Sequence, residues 1–249
     1  MSTASKPMEI IKALLLAAGE GKRLRPYTER LPKPMISIAD KPILERNIHL
    51  LADYGIREVA INLHHCPKVV MDHFGDGSDF GVHITYSYEP ELLGTAGAVK
   101  KLQTFFQGTF LVIYSDNLVD CNLERLIAFH HEHGGMATIA LHYRGDVSQS
   151  GVVALNGNER VTNFLEKPQA NQAISHWVNA GLFVLEQEVF KHIPPRSPSD
   201  FGREIFPSLL GQGEKIYGYR LGEDEAIWWI DRVEDYERVQ QIFSNRLNE

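Results

Sequence analysis

The chain has 249 residues, of which 43% are hydrophobic and 23% are charged, a balance typical of a globular protein that buries a core. Its formal net charge of −7 argues against non-specific binding to nucleic acid or to an anionic membrane, because such binding depends on a basic surface. Any phosphate site must therefore be local.

The N-terminal region allows two interpretations. Lys6 and Lys12 precede the apolar run "ALLLAAG", which could be read as a signal peptide. The run is short for that purpose, and with the residues before it the segment reads better as a strand that follows a disordered tail at residues 1–7. No apolar stretch approaches the roughly 20 residues of a membrane span, and Cys66 and Cys121 lack CxxC spacing. We therefore expect a cytoplasmic protein without membrane partners.

Predicted strands and helices alternate along the first half of the chain. Leu44, Ile48 and Leu51 share one face of a predicted helix, with Gly55 as a plausible stop. In order, the predicted segments are a strand at "KALLLAAG", a helix at "KPILERNIHLLADYG", a strand at "EVAINL", a helix at "PKVVMDHFGDG", a strand at "VHITYSY", a helix at "GTAGAVKKLQTFF" and a strand at "TFLVIYSD". This alternation predicts an α/β sheet with crossover helices.

After Ser150 the strands follow one another with fewer long helices between them. "GVVAL", "RVTNFLEKP" and "HWVNAGLFVL" predict a partly antiparallel region. We expect one domain over residues 8–249, with one lobe at about 8–150 and a smaller lobe at about 151–249. The predicted fold class is a Rossmann-like mixed sheet, mostly parallel and flanked by helices.

The glycine-rich loop after the first strand fits neither of two common phosphate motifs. Gly19 and Gly21 match the start of a Rossmann G-x-G-x-x-G, but Leu24 stands where its third glycine belongs. A Walker loop would require a glycine and a hydroxyl residue where Leu16 and Arg23 stand. The loop still lies where an open parallel sheet binds ligands, and its glycines and basic residues suit phosphate.

The order and spacing of several motifs are more specific. "LAAGEGKRLRPYTERLPKPM" resembles the signature of the sugar-1-phosphate nucleotidyltransferases, and "LGTAGAVK", "VIYSDNL", "FLEKP", "VNAGLFVL" and "WIDRVEDY" continue it in the family's order. Among its members, the chain is most similar to mannose-1-phosphate guanylyltransferases. It departs from the family pattern at Tyr114 and Ser115 and in a shortened "WIDRVEDY" segment.

The resemblance implies that the lobe at about 8–150 binds the nucleotide and that the lobe at about 151–249 binds the sugar. It also implies the site residues. A nucleoside triphosphate would be bound by the first loop, the P-K-P lysine and the second glycine loop, namely Ala17, Ala18, Gly19, Glu20, Gly21, Lys33, Gly94 and Thr95. Arg25, Lys33 and Lys167 would be the catalytic cations, with Arg23 an alternative to Arg25. For Gly94 and Thr95 the other interpretation is that they only begin and cap a helix.

The resemblance also implies a metal and a sugar site. Asp116 and Asp231 would hold Mg²⁺, which prefers hard oxygen ligands, although Asp231 could instead cap the helix at "RVEDYERV". The sugar 1-phosphate would contact Glu166, Lys167, Asn179 and Gly181.

The implied reaction gives an NDP-sugar and pyrophosphate, with GTP and mannose 1-phosphate as the first expectation. A uridylyltransferase acting on N-acetylmuramic acid or another hexose 1-phosphate is an alternative, and a noncatalytic nucleotide-sugar sensor is an alternative of a different class. The sequence leaves a homo-oligomer open.

Overall fold

The computed structural model describes residues 11–246, so the tail predicted at residues 1–7 lies outside it. Its strands are β1 Lys12–Leu16, β2 Ser37–Ile38, β3 Lys41–Pro42, β4 Glu58–Leu63, β5 His83–Tyr88, β6 Phe110–Tyr114, β7 Asn117–Asp120, β8 Ala137–Tyr143, β9 Gly151–Leu155, β10 Val161–Glu166, β11 Trp177–Leu185, β12 Ile216–Arg220 and β13 Ala226–Trp229. Its helices are α1 Ile43–Asp53, α2 Pro67–Phe74, α3 Gly94–Lys101, α4 Leu123–His133, α5 Phe206–Gly211 and α6 Val233–Arg246.

One continuous sheet organises the described chain. Its main path runs β10-β9-β11-β6-β1-β4-β5, with β8 beside β11 and β12 beside β8. The strands β6, β1, β4 and β5 are parallel, whereas β11 is antiparallel to β6, β8 and β9. The predicted α/β class, with a parallel region followed by a partly antiparallel one, is confirmed.

Strand β1 lies at the centre because both of its faces are apolar. Ala13 and Leu15 pack in the layer that contains residues of α1, α2 and α4. Leu14 points to the opposite layer, with residues of α3 and a cluster of phenylalanines. A strand covered on both faces reads as an uninterrupted apolar run, since alternate side chains leave it on opposite sides.

A small second sheet joins distant parts of the chain. Strand β13 is antiparallel to β7, and Trp229 pairs with Asn117. Asn47 of α1 is fully buried and secures β7 by donating to Asn117 O over 2.9 Å and accepting from Val119 N–H over 3.3 Å. This ladder controls where the residues before β7 and after β13 lie.

The helix expected over "GTAGAVKKLQTFF" is shorter than predicted. It ends at Lys101, and turns follow it at residues 102–105. The lobe boundary near residue 150 stays a prediction. Strand β8 precedes it and pairs with β11 and β12, which follow it.

Between residues 11 and 246, no helix has the length and apolarity to cross a membrane.

Candidate active site

The first glycine loop follows β1 and closes on itself through Thr28, whose Oγ1 donates to Gly21 O over 2.8 Å. Gly21 has a φ of +62°, and a Cβ there would lie 2.8 Å from the Cβ of Lys33. Any other residue would be strained and would collide with Lys33. Gly19 is exposed, with open space where its Cβ would stand, so a ligand can approach its backbone closely.

The rest of this loop begins with two buried alanines and continues with charged residues. Ala17 and Ala18 are buried, and Glu20 forms an ion pair with Lys22 at 3.0 Å. The hydrogen bond from Lys22 lowers the pKa of the partly exposed Glu20 carboxyl. Among the predicted nucleotide residues of the first loop, Gly19, Glu20 and Gly21 therefore reach the surface at the carboxyl end of β1, whereas Ala17 and Ala18 do not.

Lys33 is a buried cation held between two carboxylates. Only 5% of the residue is exposed, and its Nζ donates to Asp116 Oδ2 over 2.8 Å and to Asp231 Oδ1 over 3.0 Å. Burial alone would lower the pKa of Lys33, but the two carboxylates outweigh it and raise that pKa. Lys33 is therefore charged at neutral pH.

Strand pairing explains why the two aspartates meet. Asp116 immediately precedes β7, and Asp231 comes two residues after Trp229, the partner of Asn117 in β13. Antiparallel pairing places those two strand ends side by side. Asp231 reaches Lys33 despite the shortened "WIDRVEDY" segment. Asp235 Oδ2, rather than Asp231, accepts from the N–H groups before α6, those of Asp231 and Arg232.

The two candidate arginines differ in their contacts. Arg23 Nη2 lies 3.2 Å from Asp231 Oδ1. Arg25 is exposed, and no carboxylate within residues 11–246 forms an ion pair with it. Between them, Leu24 is buried in a cluster with Ile230, which fixes this turn against the segment that carries Asp231.

The second glycine loop begins α3 and is tightly packed. Gly94 has a φ of +72°, and a Cβ there would lie 2.4 Å from Ser199 O. Thr95 Oγ1 donates to Asp200 Oδ2 and accepts from Phe201 N–H, both over 2.9 Å. The Thr95 hydroxyl thus joins α3 to the segment around Asp200. A contact of Gly94 and Thr95 with a nucleotide stays a prediction.

Sequence reasoning missed two buried polar residues that lie between these loops. Asn62 is near the end of β4 and Glu89 directly follows β5. They are 3% and 1% exposed, and their side chains are hydrogen-bonded over 2.9 Å. The usable signal was their position at the carboxyl ends of neighbouring parallel strands, where ligands bind in open α/β sheets.

The predicted sugar residues lie across the sheet. Glu166 is the last residue of β10, and its Oε2 lies where Cβ atoms at Gly151 and Gly202 would come within 2.8 and 2.6 Å. Burial, and then repulsion by the Asp200 carboxylate, raises the pKa of Glu166. Two glycines thus make room for a half-buried carboxyl group.

The other three predicted sugar residues each have a distinctive backbone conformation or contact. Lys167 is exposed and has a φ of +48°, a left-handed conformation that is rare outside glycine. Asn179 Oδ1 accepts from Gly181 N–H over 2.9 Å. Gly181 has a φ of +74°, and a Cβ there would lie 2.9 Å from the Cβ of Tyr114.

Charge connects the two parts of the site. Burial would raise the pKa of Asp231, but the positive charges of Lys33, Arg23 and Lys167 lower it below its ordinary value. The structure therefore brings together Lys33, Asp116, Asp231 and Arg23, and places Lys167 close enough for its charge to act on Asp231.

The family model described as "Nucleotidyl transferase" matches residues 12–240. The chain belongs to this family. The predicted resemblance to the sugar-1-phosphate nucleotidyltransferases is confirmed, since relatives carry such names. A UTP–glucose-1-phosphate uridylyltransferase of Synechocystis is 36% identical over 254 residues, covering 95% of this chain and 64% of the relative. A probable mannose-1-phosphate guanylyltransferase 2 of Arabidopsis thaliana is 38% identical over 230 residues, covering 89% and 61%.

A solved structure extends the likeness to the fold. A UDP-glucose pyrophosphorylase complexed with UDP-glucose superimposes on this chain with a TM-score of 0.84 at 19% identity, covering 96% of this chain and 100% of that one. The chain spans less than two thirds of the length of the two sequence relatives.

The carboxylates of Asp116 and Asp231 are of the chemical type that a divalent cation prefers. Asp116 and Asp231 direct one oxygen each at a single cationic nitrogen, that of Lys33. In the described part of the chain no group of three or more His, Cys, Asp or Glu side chains is arranged around a metal position. A metal held by two protein carboxylates, with substrate phosphates and waters as its other ligands, is what Mg²⁺ prefers.

Proposed function

We propose that this chain transfers a nucleotidyl group from a nucleoside triphosphate to a sugar 1-phosphate, giving an NDP-sugar and pyrophosphate. The observation that carries the proposal is the buried Lys33 between Asp116 and Asp231, beside the first glycine loop. A buried cation with two convergent carboxylates at the carboxyl ends of strands is suited to phosphate chemistry.

The reaction requires positioning more than proton transfer. A phosphate monoester has its second pKa near 6, so the sugar 1-phosphate is largely a dianion at neutral pH. One of its oxygens attacks the α-phosphorus of the triphosphate, a new P–O bond forms, and the bond to the pyrophosphate oxygen breaks. The protein brings two anions together and stabilises the charge that develops on the leaving group.

Named residues account for these tasks. In the proposal Gly19 and Gly21 present backbone N–H groups to the triphosphate, Lys33 and Arg25 neutralise its phosphates, and Gly94 and Thr95 border the base and ribose. Lys167 binds the phosphate of the sugar 1-phosphate, while Glu166, Asn179 and Gly181 contact the sugar. Asp116 and Asp231 hold Mg²⁺, which when bound offsets phosphate charge.

Two substrate pairs have specific support. The motifs "PKPM" and "LGTAGA" favour GTP with mannose 1-phosphate, as in the name of the Arabidopsis relative. The Synechocystis relative, matched over 95% of this chain, is named for UTP and glucose 1-phosphate. We expect GTP with mannose 1-phosphate first and UTP with glucose 1-phosphate second.

The test is pyrophosphate release with Mg²⁺ over a matrix of GTP, UTP, CTP and dTTP against mannose, glucose, N-acetylhexosamine and N-acetylmuramic acid 1-phosphates. Release that requires both substrates and is lost in Asp116→Ala supports the reaction and identifies the pair. Binding of NDP-sugar without release in any combination would overturn the catalytic proposal in favour of a nucleotide-sugar sensor.

A further inference from the structure

Asn62 and Glu89 form a buried polar pair on neighbouring parallel strands. In the β4–β5 ladder Leu63 pairs with Tyr88, so Asn62 and Glu89 flank that pair at the carboxyl edge of the sheet. Both residues are almost completely buried. Burying a polar side chain costs free energy unless it is hydrogen-bonded, whereas burying an apolar one is favourable. Both side chains therefore require hydrogen-bond partners within the protein.

The pair connects the two glycine loops by hydrogen bonds. Ala17 N–H donates to Asn62 Oδ1 over 2.7 Å, Asn62 Nδ2 donates to Glu89 Oε1 over 2.9 Å, and Leu93 N–H donates to Glu89 Oε2 over 3.0 Å. Ala17 lies just before Gly19, and Leu93 directly precedes Gly94. Two side chains thus span the distance between the backbones of both predicted nucleotide loops.

Every group in this relay has a required direction. Both ends are backbone N–H donors, so Asn62 must accept at one end and Glu89 must accept at the other. Since the Glu89 carboxylate accepts both of its side-chain bonds, the asparagine amide is the donor in the middle. No lysine or arginine in the described residues forms an ion pair with Glu89, so its two side-chain oxygens are held by the Asn62 amide and the Leu93 N–H.

We propose that Asn62 and Glu89 are positioning residues that fix the two glycine loops relative to each other and thereby determine the affinity for the nucleoside triphosphate. Neither side chain touches the substrate, because their polar atoms are engaged within the protein. The proposal rests on the proposed function for the identity of the ligand. It concerns nucleotide binding and leaves the sugar 1-phosphate site unaffected.

The direction of the relay supplies a stringent test. In Glu89→Gln the side chain has a single acceptor oxygen for two donors, so one bond is lost. In Asn62→Asp two carboxylates face each other without a proton. In the double variant, which combines Asn62→Asp with Glu89→Gln, the new carboxylate at position 62 accepts from Ala17 N–H. The new amide at position 89 donates to that carboxylate, and its oxygen accepts from Leu93 N–H. All three hydrogen bonds and the net charge are restored.

We would measure the dissociation constant of the triphosphate directly and the KM for each substrate in the wild type, the two single variants and the double variant. Each single variant should weaken triphosphate binding and raise its KM about tenfold, the cost of one buried hydrogen bond. The KM for the sugar 1-phosphate should stay within about twofold, and the double variant should return close to wild type.

A matched control separates this effect from general destabilisation. Thr109 is buried at the opposite end of the sheet, where its Oγ1 donates to Glu186 Oε1 over 2.8 Å. Thr109→Val should lower the melting temperature without changing triphosphate affinity. A double variant no better than the worse single variant, or equal rises in both KM values, would overturn the pair's role. A wild type that binds no nucleotide would overturn the proposed function and this inference together.

Discussion

Lys33 and Asp231 are 198 positions apart in the chain, yet Lys33 Nζ lies 3.0 Å from Asp231 Oδ1. The same nitrogen contacts Asp116, so an ammonium group occupies the position between the two carboxylates. A divalent cation bound between these carboxylates would compete with that ammonium group, since two positive charges at such short range repel each other.

Lys33→Met should therefore increase metal affinity while decreasing activity. Without nucleotide, Mn²⁺ should bind this variant at least about tenfold more tightly than wild type, because the competing cation is absent. Turnover should fall about a hundredfold or more, since a positive charge on the phosphates is lost. Mn²⁺ binding is measured by electron paramagnetic resonance.

Lys22→Met serves as the charge-matched control for that binding measurement. Lys22 is exposed and pairs with Glu20 instead of the aspartates, so its removal should leave Mn²⁺ affinity close to wild type. Equal Mn²⁺ affinity of the wild type and Lys33→Met would contradict the competition.

Arg23 and Arg25 should give different kinetic defects. Arg23 pairs with Asp231, so Arg23→Ala should mainly lower kcat by disturbing an aspartate of the site. Arg25, which has no carboxylate partner among residues 11–246, has its charge available for phosphate, so Arg25→Ala should mainly raise the KM for triphosphate, by about tenfold. Steady-state kinetics with both variants distinguishes the two residues. Identical defects would count against this assignment.

Glu166→Gln should make the protein more stable at neutral pH. The pKa of Glu166 is raised by burial and by Asp200, so the folded state holds this proton more readily than the unfolded state. The stability gained is fully present below the unfolded pKa, near 4.3, and is lost as the pH rises through the folded pKa. The variant should melt above the wild type at pH 7.5, and the gap should narrow towards pH 4.

The same variant should bind the sugar 1-phosphate less well, because under the proposed function Glu166 accepts hydrogen bonds from the sugar, and an amide has one acceptor oxygen where a carboxylate has two. Its KM for sugar 1-phosphate should increase while its KM for triphosphate does not. Thermal unfolding across pH together with these kinetics tests the prediction. A gap in melting temperature that does not change with pH would contradict it.

Gly181→Ala should be more harmful than Gly213→Ala. Both glycines have positive φ, +74° and +82°, but only at Gly181 would the new Cβ meet another residue, Tyr114 at 2.9 Å. Gly213→Ala should cost about 1 kcal/mol of backbone strain, and Gly181→Ala should cost about 1–3 kcal/mol more from the collision. Denaturant unfolding measures the change in the free energy of unfolding for each variant. Equal changes would show that Tyr114 moves aside without destabilising the fold.

The sequence was sufficient to predict segments whose apolar pattern lies within a few neighbouring residues. β1, β4 and α1 were predictable because each carries its apolar pattern within a few residues. The ladder of β7 with β13 was not predictable, because two short segments from different halves of the chain form it. The meeting of Asp116 with Asp231 depends on that ladder, so only the resemblance indicated it.

Asn62 and Glu89 show a different limit. Single polar residues at the end of a strand usually read as ordinary surface residues, and the burial of these two is evident only once β4 and β5 are paired. Thr95 is a third case, since its contact with Asp200 depends on the path of a distant segment. Local sequence pattern identifies residue types suited to a site, whereas long-range pairing decides which of them meet.

The position of β6 has a consequence for how such a protein can change its sugar. β6 is parallel to β1 on one side and antiparallel to β11 on the other, and Asp116 comes just after it. The predicted nucleotide residues and sugar residues therefore stand on opposite flanks of one rigid strand, in a sheet whose neighbouring strands are about 4.8 Å apart. Under the proposed function, this strand spacing sets the separation between the residues that bind the nucleotide and those that bind the sugar. We then expect a larger or smaller sugar to be accommodated by the loops around β10 and β11, so that the preferences for nucleotide and for sugar can change independently.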